Sequence, residues 1–201
     1  MIIHKVLDHL FSSQGTVKIL RVLNNSVVGL TGRQIANLAG VTHQAAHNLL
    51  ANLEYLNLIN RVIGGSSHLF TLNRDKFLSK QIIGLVFNAE EEFREKIYFN
   101  IKKALSKQTV SLIIFGSVAR KEESVESDLD LCIVCDKEIK VLEKNVRTLQ
   151  DDLFNEFGVT LAPFYISPQE FKKRSKTNKP PVKEIIKDGI VISGKPIREL
   201  L

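Results

Sequence analysis

Two aspartates stand two residues apart in Ser127-Asp128-Leu129-Asp130-Leu131, at the mouth of the apolar run Leu131-Cys132-Ile133-Val134. Side chains alternate faces along a strand. Period two therefore puts Asp128, Asp130, Cys132 and Val134 on one face and turns Leu129, Leu131, Ile133 and Cys135 the other way, into a core. Aligned carboxylates repel each other unless a cation lies between them. Hard oxygen ligands of this kind suit Mg²⁺, which takes one or two carboxylates together with substrate phosphates. Upstream, Gly116-Ser117 closes another apolar run, Val110 to Phe115. Glycine lets the backbone approach a phosphate closely. Serine adds a hydroxyl and an amide, and the N-terminus of a short helix expected over 118–123 favours an anion. Strand, Gly-Ser turn, short helix, loop and Asp-x-Asp strand together describe a site for a metal-bound nucleoside triphosphate.

The elements that must hold this site fall in the second half of a 201-residue chain with room for one ordinary domain or two small ones. No apolar run reaches the length of a membrane span, and Met1-Ile2-Ile3-His4-Lys5 lacks the design of a signal peptide, so the expectation is a soluble, cytoplasmic protein. Cys132 and Cys135 are spaced as CxxC, but residues three apart on a strand face opposite ways, which predicts two reduced core thiols rather than a metal or redox pair. The net charge of +6 is uneven: residues 1–80 hold eight Lys and Arg against three Asp and Glu, and the remainder is nearly balanced. The basic excess of the first part suits an anionic partner.

In that first part, Thr31 is a helix cap followed by Ile35, Leu38 and Ala39 at helical spacing, and Gly40 is placed to end the helix. Thr42 caps a second helix carrying Ala45, Ala46, Leu49, Leu50, Leu53 and Leu56. Another helix is expected upstream from Ser12 or Ser13. Two strands, 59–63 and 68–72, flank a turn at Gly64-Gly65-Ser66-Ser67. Helix, helix-turn-helix and hairpin in this order resemble the winged-helix family of DNA-binding domains over residues 10–78. The resemblance implies that the second helix of the pair enters the major groove of double-stranded DNA, offering Thr42, His43, Gln44, His47 and Asn48. Gln and Asn suit adenine, whereas Arg33, Arg61 and His68 suit backbone phosphate. The alternative is a protein-interaction module whose polar face is merely solvated. His43 and His47, one turn apart, could ligate a metal, but no third ligand is in view. Residues 79–107 read as one long linker helix, or two joined near Asn88-Ala89, packing on the second part.

The stretch Gly116-Ser117, Ala119-Arg120 and Ser127-Asp128-Leu129-Asp130-Leu131 resembles the signature of the nucleotidyltransferase superfamily that includes DNA polymerase β, and most closely its minimal members. The resemblance covers residues 90–197, including the closing Ile185-Ile186-Lys187-Asp188-Gly189-Ile190. It implies that Asp128 and Asp130 are the catalytic, metal-holding pair and that Gly116 and Ser117 hold the terminal phosphates of a triphosphate such as ATP. Arg120 either pairs with phosphate or forms an ion pair with Glu122, Glu123 or Glu126. Lys121 stands where many relatives carry glycine. A third carboxylate is expected on the strand 159–166, which has none; Thr160 or Ala162 occupies its place, and Asp151, Asp152 and Glu156 are the nearest acids in sequence. The basic segment 171–182, with Lys172, Lys173, Arg174, Lys176 and Lys179, reads as a mobile loop, either meeting phosphate of a nucleotide or nucleic acid or merely solvated.

The fold expected is α/β (α+β): a winged helix over 1–78, the linker helix over 79–107 and a nucleotidyltransferase-like mixed sheet with flanking helices over 108–201. The cofactors implied are Mg²⁺ and a nucleoside triphosphate; the partners are double-stranded DNA, a nucleotide and a protein or RNA acceptor, with a homodimer left open. Two function classes compete. One is a DNA-binding regulator with a degenerate, nucleotide-binding domain. The other is an active nucleotidyltransferase that modifies a hydroxyl on protein, RNA or a small molecule.

Overall fold

The computed structural model describes residues 3–65, 67–136 and 139–201. Met1, Ile2 and the turn residue Ser66 lie outside the described residues. The chain divides into two compact units, Met1–Glu91 and Glu92–Leu201, and the mixture of helices with two sheets gives the α+β class.

The first unit contains α1 (Val6–Leu10), α2 (Gln14–Asn25), α3 (Gly32–Ala39) and α4 (His43–Tyr55), with strands β1 (Leu30–Thr31), β2 (Ile59–Gly64) and β3 (Ser67–Leu72). Local chemistry sets the boundaries. Ser13, Thr31 and Thr42 each accept a backbone N–H of their helix's first turn, and Thr31 with Gln34 completes a capping box. Gly40 takes φ 62 and ends α3 in the left-handed conformation that glycine tolerates. Ile19, Leu20, Leu23, Ile35, Leu50 and Leu53 meet in one core, against which Phe70 packs. The hairpin strands run one residue further into the expected turn, since Gly64 pairs with Ser67. β1, which the sequence reading assigns only as a cap, pairs Leu30 with Phe70 and makes the sheet β1-β3-β2.

One helix, α5 (Gly84–Leu105), runs uninterrupted through Asn88-Ala89 after a π-helical turn over Ser79–Ile83. Its burial is divided. Ile83 and Phe87 lie in the core of the first unit, whereas Ile97, Ile101 and Leu105 lie in a core of the second. The packing on the second part expected of this segment falls on its C-terminal half, while its N-terminal end packs in the first core.

The second unit is built on β4 (Ser111–Ile114), β5 (Leu129–Val134), β6 (Leu161–Ile166) and β7 (Ile190–Gly194), in the order β6-β5-β4-β7. β4 is antiparallel to β5 and β7, and β5 is parallel to β6. The short α6 (Gly116–Arg120) follows β4, and α7 (Ile139–Phe157) follows β5. Both faces of β5 are covered. Leu129, Leu131, Ile133 and Cys135 join α5 and α7 in one core. Cys132 and Val134 join Ile113, Phe115, Phe171, Val182 and Ile185 in the other. The two free cysteines therefore lie on opposite sides of the sheet, and burial, first of all, pushes the Cys132 thiol up to about 12.

The segment read as a mobile basic loop is instead largely helical: α8 (Pro168–Lys176) and α9 (Val182–Asp188). Ser167 caps α8 by accepting from Glu170 N–H at 3.1 Å, Pro168 takes the first helical position, and Arg174 pairs with Glu170 one turn away at 2.9 Å. The helix-breaking pair Pro180-Pro181 falls between the two helices rather than inside one.

Candidate functional site

The backbone brings Gly116 and Asp130 together. β4 ends at Ile114, and the Phe115 N–H donates to Asp130 O at 3.1 Å, so the turn after β4 is tied to the start of β5. Gly116 adopts φ 72, and a Cβ added there would overlap Asp130 Oδ2. Only glycine satisfies both conditions, the left-handed backbone and the carboxylate lying against its Cα. Ser117 is half-buried and its hydroxyl has no hydrogen-bond partner among the described residues.

Asp130 is partly buried in β5, whereas Asp128 is exposed and precedes the strand, which starts at Leu129. The expectation that both aspartates share one strand face is corrected on this point: Asp128 belongs to the end of the loop. The two remain electrostatically paired. Burial, then the Asp128 charge, raises the Asp130 carboxyl above its ordinary value; Arg120 opposes this and Glu184 adds to it. The loop before them is closed on itself by Ser124 N–H donating to Ser127 Oγ at 2.9 Å and by Ser127 N–H donating to Ser124 O at 3.0 Å.

Arg120 is bound within the protein. Its Nε donates to Glu122 Oε2 at 2.8 Å, one of the ion pairs the sequence reading allows. That hydrogen bond, first of all, raises its guanidinium, with Asp188 and Glu184 acting in the same direction. Lys121 caps α6 with φ 59, in the left-handed region that glycine tolerates best. Sequence reasoning does not single out Glu184 and Asp188. They lie one turn apart on α9, which packs against α6. Their i, i+4 spacing is visible in the sequence, but not the packing that carries them to Arg120.

Opposite Asp130, β6 offers no acid. Asp130 is the register partner of Ala162 on the parallel strand β6, with Leu129 opposite Leu161. Paired residues point to the same side, so a methyl group stands beside the Asp130 carboxyl. Thr160 precedes the strand, its carbonyl accepting from Leu129 N–H at 2.8 Å. Asp152 and Glu156 do not reach the site. They line a cleft of about 650 Å³ between α5 and α7, with Asn100 and Lys103, on the opposite side of the sheet. Among the described residues no group of three metal-ligating side chains forms.

In the first unit, His43, Gln44, His47 and Asn48 lie on α4, and all four are exposed. His43 and His47 face the β2–β3 hairpin. With Gly32, Leu50, Glu54, Arg61 and Phe70 they line a small hollow of about 60 Å³. Gln44 and Asn48 are linked by a 3.2 Å hydrogen bond, and Arg61 Nε pairs with Glu54 Oε1 at 3.0 Å. The Thr42 hydroxyl is engaged by Ala45 N–H. Arg33 is exposed in the first turn of α3, and His68 near the hairpin tip, opposite Ile63.

No curated protein matches this chain. It is similar to the crystal structure of the predicted DNA-binding transcriptional regulator from E. coli at 20% identity and a TM-score of 0.37, over 42% of this chain and 85% of that one. Residues 99–197 match the family model of polymerase beta nucleotidyltransferases, and this half of the chain, which holds Gly116, Ser117, Asp128 and Asp130, is a nucleotidyltransferase-fold domain.

Proposed function

We propose that the protein is a nucleic-acid-binding regulator whose second unit holds a magnesium-bound nucleoside triphosphate and transfers nucleotide poorly or not at all. The observation that carries the reading is the fit of Gly116 beneath the Asp130 carboxylate. The residues present suit a hard divalent cation. Two carboxylates lie close enough for Asp128 to disfavour ionisation of Asp130, a repulsion that a cation between them would relieve. With Asp128 and Asp130 as its protein ligands, the ion would take the rest of its shell from phosphates and water, as Mg²⁺ usually does. Asp128 and Asp130 would hold it. Gly116 and the free Ser117 hydroxyl would receive the terminal phosphates. When bound, the cation supplies charge neutralisation on the triphosphate. What the chain does not supply at Ala162 is an acid to take the acceptor's proton.

Calorimetry with ATP and Mg²⁺ tests the site through Gly116→Ala. The substitution places an alanine at positive φ, costing about 1–2 kcal/mol, and pushes the Asp130 carboxyl aside. We expect triphosphate affinity to fall at least tenfold while far-UV circular dichroism stays unchanged. Unaltered affinity would place the nucleotide elsewhere.

The helix-turn-helix and hairpin of the first unit support DNA recognition, with Gln44 and Asn48 on the second helix and Arg61 on the wing. On duplex DNA, affinity is expected to fall as salt rises, because phosphate neutralisation releases counterions. Arg61→Ala should weaken all sequences alike. Gln44→Ala should change preference among sequences, by about 1–3 kcal/mol at one base pair. Fluorescence anisotropy decides. Absence of binding at low salt would assign this unit to protein partners.

A further inference from the structure

The near-neutral total of the second unit conceals a separation of charge. Residues 122–136 hold six acidic residues and no basic one, whereas residues 171–183 hold six basic residues and no acidic one. The fold gathers the second group onto one hairpin of helices. α8 and α9 pack against each other, anchored by buried Phe171, Val182 and Ile185. Anchoring by these apolar residues turns Lys172, Lys173, Lys176, Lys179 and Lys183 outward. All five are exposed, and none is within ion-pair distance of a carboxylate among the described residues, although Lys173 and Lys179 act on Glu170 at longer range and Lys172 shares a cleft with Asp136 and Glu199. Lys172 and Lys176 are one helical turn apart, as are Lys173 and Lys176, and Lys183 N–H donates to Lys179 O at 3.2 Å in the same spacing. The sixth cation, Arg174, lies over the Phe164 ring at 5.9 Å from its centroid, held by Glu170. Phe164 in turn meets Phe115, the residue before Gly116, edge to face at 6.4 Å. The acids of α9 take a different flank: Glu184 and Asp188 act on Arg120.

We infer that the α8–α9 hairpin is a binding surface for a single-stranded nucleic acid, linked to the Gly116–Asp130 site through Arg174, Phe164 and Phe115. The inference deepens the proposed function, and rests on it, only in naming the strand as the class of molecule that the site addresses. Exposed lysines one turn apart match a chain of repeating phosphates, and the planar Arg174 guanidinium, held over Phe164, offers a stacking face for a base. An anionic membrane fits worse. A surface helix that binds lipid presents an apolar face, and no large hydrophobic residue between Ser167 and Gly189 is strongly exposed. A duplex is the expected ligand of the other unit, so strandedness separates the two surfaces.

The test uses the full chain and a fluorescent single-stranded RNA about 20 nucleotides long, enough to span several phosphate contacts. Mg²⁺ and triphosphate are left out, so the outcome is independent of the triphosphate site. Lys172, Lys173, Lys176, Lys179 and Lys183 are changed together to glutamine. A slope of about 0.7 per phosphate contact for single strands predicts that the dependence of log affinity on log salt flattens by about 3.5 when five contacts are lost, and that affinity at low salt falls more than about tenfold. Binding to a duplex should persist. Phe164→Leu, which keeps the core filled, should weaken RNA binding by a salt-insensitive factor. An unchanged slope and affinity in the lysine variant would overturn the inference, as would binding of phosphatidylserine vesicles in place of RNA.

Discussion

Asp128→Asn combined with Asp130→Asn is expected to remove Mg²⁺-dependent triphosphate binding, by about two orders of magnitude or more. Even outer-shell partners of metal ligands cost about 10–100-fold when lost, and here the ligands themselves are replaced. Each asparagine keeps the shape and one carbonyl oxygen but none of the charge. The fold should tolerate the change well. In the metal-free protein Asp130 is held above its ordinary carboxyl value by burial and by Asp128. A folded-state value raised for an acid means that the native chain binds more protons than the unfolded one in the window above the ordinary carboxylate range. Stability therefore declines as pH rises through that window. A neutral amide at position 130 escapes this penalty, so the thermal midpoint of the metal-free double variant at neutral pH should equal or exceed that of the parent. Calorimetry with and without Mg²⁺ and thermal denaturation read the two effects separately. Loss of binding accompanied by loss of cooperative unfolding would indicate a folding defect and would leave the Asp pair without a demonstrated role.

The second large effect is a gain. Ala162→Asp places a carboxyl in register with Asp130 on β6. Without metal, adjacent like charges on neighbouring strands should destabilise the protein modestly, within the roughly 0.2–1 kcal/mol typical of cross-strand pairs. With Mg²⁺ and triphosphate the same carboxyl completes the set that the strand lacks and can accept the acceptor's proton. General-base help is worth about 10²–10⁴-fold in rate. Transfer of radiolabelled nucleotide to the chain itself, to partner proteins and to RNA should rise on that scale, whereas Thr160→Asp, outside the strand, should give far less. Robust transfer by the unmodified chain, abolished by Asp130→Asn, would show instead that another group serves as base and that the degenerate reading is wrong.

Much of this site can be read from residue order because its constraints are local. Gly116 is required by a positive φ and a close carboxylate, and both leave their mark as an obligatory glycine between an apolar run and a serine. Caps at Ser13, Thr31 and Thr42 place the helices of the first unit for the same reason. The errors have physical causes as well. β1 is two residues long, and nothing but pairing with Phe70 and Leu69 makes it a strand. The segment 168–176 carries the Ser-Pro-x-Glu signal of a helix start, but its density of lysine resembles a loop when no partner is in view. Period two gives Asp128 a face on a strand that begins only at Leu129, because alternation cannot report where a strand starts. Glu184 reaches the site only through the packing of α9 on α6, a contact between residues distant in sequence.

The central claim is a divalent cation at Asp128 and Asp130 with a triphosphate on Gly116-Ser117. The most direct measurement is a crystal structure of the unmodified chain with Mn²⁺ and a non-hydrolysable triphosphate, the ion located by its anomalous scattering. The account predicts one anomalous peak between the Asp128 and Asp130 carboxylates, completed by phosphate oxygens and water, with the terminal phosphates against the Gly116 backbone and the Ser117 hydroxyl. A triphosphate seated on the lysines of α8 and α9 with no ion at Asp130, or an ion bound without phosphate at the Gly-Ser turn, would contradict it.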